Sequence, residues 1–354
     1  MAKASLAQRI SEAWYEGHGL LHLLRPASAL FSHIAAKRRC RDSHKPASNS
    51  PIVVVVGNIA VGGTGKTPLI IALVKRLRAE GWQPGVISRG YGSQAPHYPY
   101  EVSSDSPVEH CGDEPLLIAR QCDCPVVIDA DRNQALAKLQ ARHNCDIVLS
   151  DDGLQHYRLA RHIEFAVLDS ARGLGNGWCL PAGPLREPPE RLEEVDFLIV
   201  NQSPRSKRHP SFEQLPTNAP KPLAMSLEAT GLRNLHTGEQ RPCDEVQLQN
   251  IAREGDLQAI AGIGNPQRFF DSLLTYGLSF QSQAFDDHQN YDVQHLAFAL
   301  NKPLLMTAKD GVKCQSLATR PGTEQWWQLE VDAKLDEEFW QHFLARLADL
   351  KAAD

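Results

Sequence analysis

The sequence predicts an α/β fold: a doubly wound α/β/α domain on a parallel sheet, joined by a short extended linker to a second, smaller α/β domain. Three observations carry this. Ile52–Val56 is an unbroken β-branched run, as expected of a strand buried on both faces. A glycine cluster follows it and runs into Lys-Thr-Pro, a helix start. Beyond that, short apolar runs alternate with segments of helical period, the pattern of strands crossed over by helices.

Each element follows in order. Leu20, Leu21, Leu23, Leu24, Ala27, Leu30, Phe31 and Ile34 form an apolar N-terminal segment interrupted by Arg25-Pro26 and followed by Lys37, Arg38, Arg39 and Arg41. The cations come after the apolar stretch, which is the wrong order for a cleaved signal peptide. Two readings fit: a helix lying in a membrane interface with its cations on anionic lipid, or a helix packed on the domain surface. Residues 42–51 read as a polar linker. Leu69, Leu73, Val74 and Leu77 recur at helical spacing after the glycine loop. Strands are expected at Gln83–Ser88, Pro125–Ile128, Asp146–Ser150, Ile163–Leu168 and Val195–Val200, with a helix at Arg132–Arg142. Residues 203–222, rich in Pro, Ser and basic residues, mark the junction, and Leu223–Leu227 with Leu235–Pro242 read as an extended connector. A second alternation follows: a strand at Leu257–Gly262, a helix at Pro266–Tyr276, a strand at Leu278–Phe285, a helix from Val293, and strands at Pro303–Thr307 and Trp326–Val331. The amphipathic helix Glu337–Leu350 closes it.

The bulk numbers agree with a two-domain globular protein. The chain has 354 residues, 42% hydrophobic and 22% charged. A net charge of -5 is too mild to steer a polyanion, so no nucleic-acid partner is expected. No apolar run is long enough to span a bilayer. The eight cysteines lack paired CxxC spacing, which argues against a structural zinc site and for a reducing compartment, the cytoplasm.

The chemistry begins in GNIAVGGTGKTP, Gly57–Pro68. A strand, a glycine turn and Lys-Thr at a helix start make a phosphate loop, in which backbone N–H groups and the helix N-terminus converge on phosphate oxygens. Gly62, Gly63, Thr64, Gly65, Lys66 and Thr67 are the expected nucleotide contacts, with Lys66 on the β- and γ-phosphates and Thr67 on Mg²⁺. Ala60 stands where the strict pattern has its first glycine. Val61 replaces the lysine of partition-type ATPases, and Asn201-Gln202-Ser203-Pro204 lacks the guanine-reading lysine and aspartate. ATP is therefore the expected nucleotide.

Charged residues recur at the carboxyl ends of expected strands, where open α/β sheets bind ligands. Asp151 and Asp152 end one strand and are candidate Mg²⁺ ligands; the alternative is a helix-capping acid with a solvated neighbour. Both can serve only if the chain bends at Asp152-Gly153. Arg89, in Ser88-Arg89-Gly90-Tyr91-Gly92, can clamp a phosphate. Asp113 and Glu114 precede a helix, as caps or as catalytic acids. Arg132 ends Asp129–Arg132. In the second domain, Phe285-Asp286-Asp287-His288 sets a histidine beside two acids.

GNIAVGGTGKTP, SRGYG, GDEP, DDGLQH, GPLREP, FDDH and TAKDGVK occur in this order, from the loop to Lys313. Together they resemble the tetraacyldisaccharide 4'-kinase (lipid A 4'-kinase) family of Gram-negative bacteria, and the N-terminal Trp14-Tyr15 and leucine segment resemble its membrane-docking helix. The resemblance implies a P-loop NTPase-like kinase domain and transfer of the ATP γ-phosphate to the 4'-hydroxyl of a tetraacylated glucosamine disaccharide 1-phosphate. It implies Asp113 as the catalytic aspartate and His288 as its paired histidine, with Lys66 and Arg89 also catalytic and Arg132 near the phosphates. It implies Thr67, Asp151, Asp152 and Glu187 around Mg²⁺, with Gln155 and His156 as further motif residues. Residues 1–45 would be the docking helix and linker, 46–220 the kinase domain, 221–250 the connector and 251–354 the C-terminal domain. The enzyme would sit peripherally on the cytoplasmic face of the inner membrane without an obligate protein partner. The competing reading is a P-loop ATPase switch acting on a protein partner, with water as acceptor.

Overall fold

The computed structural model describes residues 6–42, 50–203, 205 and 207–353. Most of the linker expected at 42–51 therefore lies outside the described residues. In chain order, α1 (Leu6–Glu16), a 3-10 turn at Gly19–Leu24 and α2 (Arg25–Asp42) precede β1 (Ile52–Gly57). Next come α3 (Lys66–Ala79), β2 (Pro84–Ser88), β3 (Tyr100–Val102), α4 (Val108–Cys111), α5 (Asp113–Gln121), β4 (Val126–Ile128) and α6 (Arg132–Arg142). They are followed by β5 (Ile147–Asp151), β6 (Ile163–Asp169), β7 (Phe197–Asn201), β8 (Leu223–Asn234), β9 (Gln240–Pro242) and α7 (Glu245–Arg253). The chain ends with β10 (Gln258–Ala261), α8 (Pro266–Thr275), β11 (Gln281–Ala284), β12 (Leu304–Thr307), α9 (Ala308–Cys314), β13 (Trp326–Leu335) and α10 (Glu337–Ala353).

The chain divides into two compact units, one of residues 1–66, 146–225 and 335–354, the other of residues 67–145 and 226–334. In the first unit β1 runs parallel between β5 and β6, with Val54 opposite Leu149 on one side and Ile163 on the other. β7 lies parallel beyond β6, and the first residues of β8 lie parallel on β7. β1 is buried along its whole length, which is why its sequence never alternates. Phe339 and Phe343 of α10 pack edge-on against Phe165 and Phe197, which stack on each other at 4.7 Å. Each buried ring of this kind contributes about 1.5–3 kcal/mol.

In the second unit β2 is parallel to β4, and the short β3 is antiparallel to it. β10 lies parallel between β11 and β12, β13 lies parallel on β12, and β9 turns back antiparallel on β8. Phe269, Phe270 and Leu273 of α8 join Leu248, Ile251 and Trp327 in one core cluster. The fold is thus α/β with parallel strands in both units.

Two local expectations need correction. No α-helix starts at Val293; that stretch holds only a 3-10 turn at Ala297–Ala299. The Asp292 carboxylate accepts from His295 N at 2.9 Å, a local bond that competes with helical pairing. The expected extended connector is longer and more ordered than anticipated, with β8 running twelve residues and the unanticipated α7 after it.

Candidate active site

In the first unit the phosphate loop leaves β1 at Gly57 and delivers Lys66 as the first residue of α3. Gly62 and Gly65 hold φ of +101° and +95°, a region costly for any residue with a Cβ. A Cβ at Gly65 would also collide with the Asn201 side chain. Asn201, at the end of β7, donates from Nδ2 to the Thr64 carbonyl at 3.0 Å. Asn58 Nδ2 lies 3.4 Å from both the Gly62 carbonyl and Thr64 Oγ1. Across the loop, Val61 N donates to Pro184 O at 2.8 Å and Arg186 N to Ile59 O at 2.6 Å. The GPLREP segment is therefore a second wall of the loop, and Ala60, where a glycine was expected, bridges to Leu185.

The acids stand where the strand ends predicted. Asp151 closes β5 and is buried. At Asp152 the backbone turns to φ +47°, the bend the Asp-Asp-Gly sequence required. Asp152 then faces two cations, Lys66 Nζ at 3.4 Å and an Arg186 guanidinium nitrogen at 3.1 Å. Burial pushes its carboxyl up, but Lys66 and Arg186 outweigh that and hold it well below the usual aspartate range. Gln155 donates to the Asn58 carbonyl at 3.0 Å and to Glu187 at 2.7 Å. Glu187 is buried and also pairs with Arg191 at 3.4 Å and Arg39 at 3.7 Å. The His156 carbonyl accepts from Arg161.

A magnesium–nucleotide complex is the group such a loop implies. Among the described residues no three His, Cys, Asp or Glu side chains gather as a metal cage. That suits Mg²⁺, which uses one or two carboxylates and completes its shell from phosphates and water. Among the described residues the buried Ser150 Oγ and Asn58 Oδ1 find no hydrogen-bond partner, leaving hard oxygen acceptors beside Asp151 and the loop.

In the second unit, Thr67 continues α3 and is buried. Arg89 follows β2 directly and is exposed, while Arg132 opens α6, is buried, and donates to the Asp129 carbonyl at 3.0 Å. Gly90 and Gly112 both take positive φ, and a Cβ on Gly112 would lie 2.9 Å from the Tyr91 carbonyl. This close approach sets SRGYG against the start of α5.

Asp113 is the first residue of α5 and is buried. Its carboxylate lies 3.2 Å through either oxygen from Nδ1 of His288, a residue 175 positions away. His288 sits at φ +60° with the Tyr91 ring 4.8 Å from its own. Burial raises the Asp113 carboxyl, but the His288 hydrogen bond and the Lys309 charge bring it down to about 2. Burial lowers the His288 imidazole, and its bond to Asp113 outweighs this and raises it overall. Asp113 is therefore ionised at neutral pH, and the imidazole beside it holds a proton more readily than a free one. By its residues alone the acidic GDEP left both acids open, and the family resemblance implied Asp113; the structure gives Asp113 the histidine and Glu114 a lysine, Lys309.

With this geometry in view, the comparisons with known proteins are decisive. The model for Tetraacyldisaccharide-1-P 4'-kinase (LpxK) matches residues 20–348. The chain belongs to the tetraacyldisaccharide-1-phosphate 4'-kinase family. A tetraacyldisaccharide 4'-kinase of Pseudomonas aeruginosa (strain LESB58) is 46% identical over 351 residues, 98% of this chain and 99% of that one. One from Pseudomonas fluorescens (strain SBW25) is 45% identical over 352 residues, covering 99% and 98%. Among solved structures, the "apo" form of LpxK from Aquifex aeolicus in complex with ATP is similar at a TM-score of 0.69 and 25% identity, over 92% of this chain and 99% of that one. The kinase family's fold thus extends over both units. Sequence reading placed Lys66, Asp151, Asp152, Asp113 and His288 in their motifs, but gave no site role to Asn58, Arg186, Asn201 or Lys309. Asn201 was legible only as a failed guanine motif, although a polar residue at a strand's carboxyl end was a usable signal.

Proposed function

We infer that this chain is an ATP-dependent kinase that phosphorylates the 4'-hydroxyl of a tetraacylated glucosamine disaccharide 1-phosphate in lipid A biosynthesis. The observation that carries the reading is the pairing of a buried carboxylate with a histidine, Asp113 with His288, in a chain of this family that also holds an ordered phosphate loop. Phosphoryl transfer demands positioning, charge neutralisation and an acceptor for the hydroxyl proton. Gly62, Gly63, Thr64 and Gly65 present backbone N–H groups to the nucleotide, and Lys66 answers the β- and γ-phosphate charge. Arg89 and Arg132 add positive charge near the phosphates. Thr67, Asp151 and Asp152 are assigned to hold Mg²⁺, with Glu187 behind them through Gln155. When bound, Mg²⁺ neutralises charge on the phosphate oxygens. Asp113 accepts the proton of the 4'-hydroxyl as the hydroxyl oxygen attacks the γ-phosphorus, the bond from that phosphorus to the β–γ bridging oxygen breaks and ADP leaves, while His288 orients Asp113 and stabilises its charge.

The acceptor's acyl chains call for a membrane surface. No helix among the described residues is long and apolar enough to cross a membrane. The N-terminal segment has two faces instead. Leu21 is buried, Ser28 Oγ donates to the Cys179 carbonyl at 2.7 Å, and His22 and Arg25 both pack on Trp178, at 4.8 and 4.9 Å. The two polar residues that interrupt the apolar stretch thus have a protein partner. Leu20, Leu23, Leu30 and Ile34 remain exposed, Leu23 at 76%. This exposed row, with the basic end of α2, supports peripheral docking on the cytoplasmic face of the inner membrane. Neither a nucleic acid nor an obligate protein partner enters the reading.

The test is transfer of label from γ-labelled ATP, with Mg²⁺, to tetraacyldisaccharide 1-phosphate in detergent micelles. Label in a chloroform-soluble 4'-phosphate is the expected result. Free phosphate alone, released equally with and without lipid, would instead indicate a nucleotide switch.

A further inference from the structure

The TAKD stretch, Thr307–Asp310, joins the last residue of β12 to the first turn of α9 and holds the loop that carries His288. Asp310 is fully buried. It accepts from Tyr291 Oη at 2.8 Å and Gly262 N at 3.1 Å, and it pairs with Lys313 at 3.0 Å. Tyr291 is three residues beyond His288, so this network anchors one end of the loop. Lys309 serves a different set of groups. Its side chain is 13% exposed, and Nζ lies 2.9 Å from Glu114, 3.0 Å from Asp287 and 3.7 Å from Asp113. Two of those three acids flank His288: Asp113 at Nδ1, 3.2 Å away, and Asp287 at Nε2, 3.9 Å away.

A helix cap needs no such lysine, because Thr307 already caps α9 through its bond from Asp310 N at 3.1 Å. A nearly buried ammonium is costly unless it is paired. Three carboxylates this close are mutually repulsive, and without a cation one of them takes up a proton. We infer that Lys309 is a positioning residue for the transfer, its ammonium holding Asp113 and Asp287 on either side of His288 and keeping Asp113 an unprotonated acceptor. This rests on the reading of Asp113 and His288 as the proton-handling pair.

The titratable and charged groups around His288, Asp113 and their partners set the sign of the effect. Asp113 and Glu114 come from α5, Asp287 and Tyr291 from its own loop, the Tyr91 phenol from the turn after β2, and Lys309, Asp310 and Lys313 from α9. Lys313 is engaged by Asp310 and lies over the Tyr291 ring at 4.9 Å, so Lys309 is the cation nearest the pair. Removing it raises the proton affinity of Asp113 and of His288 together. Whether turnover needs Asp113 ionised or His288 neutral, the acid limb of the rate profile moves to higher pH.

The experiment compares wild type, Lys309→Met and Lys309→Arg in the full chain, with folding checked by thermal melting. Lys309→Gln carries the test if the Met variant does not fold. The first readout is kcat and the KM for ATP across pH with the lipid acceptor. The second is the His288 imidazole titration by nitrogen-edited NMR without substrate. For Lys309→Met, kcat at neutral pH falls by about 100-fold, the scale of a misplaced catalytic group. Its KM for ATP stays within about twofold, while the acid limb and the His288 titration both move up by about one pH unit. Lys309→Arg, which keeps the charge, returns most of the activity and the wild-type limb. A folded neutral variant with wild-type kcat, or one with reduced kcat but an unmoved limb and His288 titration, overturns the inference. If the wild-type chain transfers no phosphate to the lipid, the kinase reading fails, and the His288 titration alone still decides whether Lys309 controls the pair.

Discussion

Asp113 and Asp152 share a physical situation: each is an aspartate, one buried and one half-buried, kept ionised by cations placed against it. Asp113 has His288 and Lys309; Asp152 has Lys66 and Arg186. For Asp113→Ala the expected result is a fall in kinase activity of about two to four orders of magnitude, the range for losing a general base. Turnover at the wild-type rate with saturating ATP would remove that role. Lys66→Ala, Asp152→Ala and His288→Ala should each be strongly impaired while melting as folded proteins, and the residue whose variant keeps near-normal turnover leaves the site. The motif residues were legible one by one because each sits beside a glycine or at a strand end. The pairing of His288 with Asp113 was implied by the family resemblance, whereas Lys309 beside Asp113 and Arg186 beside Asp152 were not legible, since nothing in the sequence ties them together.

At the scale of elements, the loop depends on backbone freedom and on one asparagine. Gly65→Ala asks for a Cβ at φ +95° and against Asn201, so the expected cost is about 1–3 kcal/mol in urea unfolding, with weaker ATP binding. An unchanged unfolding midpoint would show that the loop relaxes freely. The strands with continuous apolar runs, β1 and β7 among them, were readable because burial on both faces leaves no alternation to interpret. α6 was readable to the residue, with Asp131 capping it by accepting from Asn133 N at 3.0 Å. The stretch after Val293 was not, because its side chains bond locally. β11 is exposed along its length, so its apolar content gave no firm limits.

For the molecule as a whole, pH and salt are the informative variables. Asp113 and Asp152 have depressed folded values, so each stabilises the fold above the ordinary aspartate value of about 3.9 and loses that contribution as pH falls through its folded value. For Asp113, at about 2, this is about 2 kcal/mol. His288 is raised, so its contribution is full below about 6.5 and is lost as pH rises through its folded value. Thermal melts against pH should therefore show an acid slope that Asp152→Asn reduces; an identical slope in that variant would remove Asp152 from the balance. Sedimentation with anionic vesicles should weaken as salt rises if the α2 cations matter, since exposed charges are screened. Salt-insensitive sedimentation would assign docking to Leu23 and its apolar neighbours instead. The sequence by itself determined the fold class, the phosphate loop, the acids at the strand ends and the family, because strand burial, glycine placement and ordered motifs are local or linear properties. Only the tertiary structure decided which further charges meet: Lys309 with Asp113, Lys66 and Arg186 with Asp152, and His22 and Arg25 with Trp178. Such pairings depend on strand register and helix packing, which bring together residues far apart in the chain, and no local pattern records them.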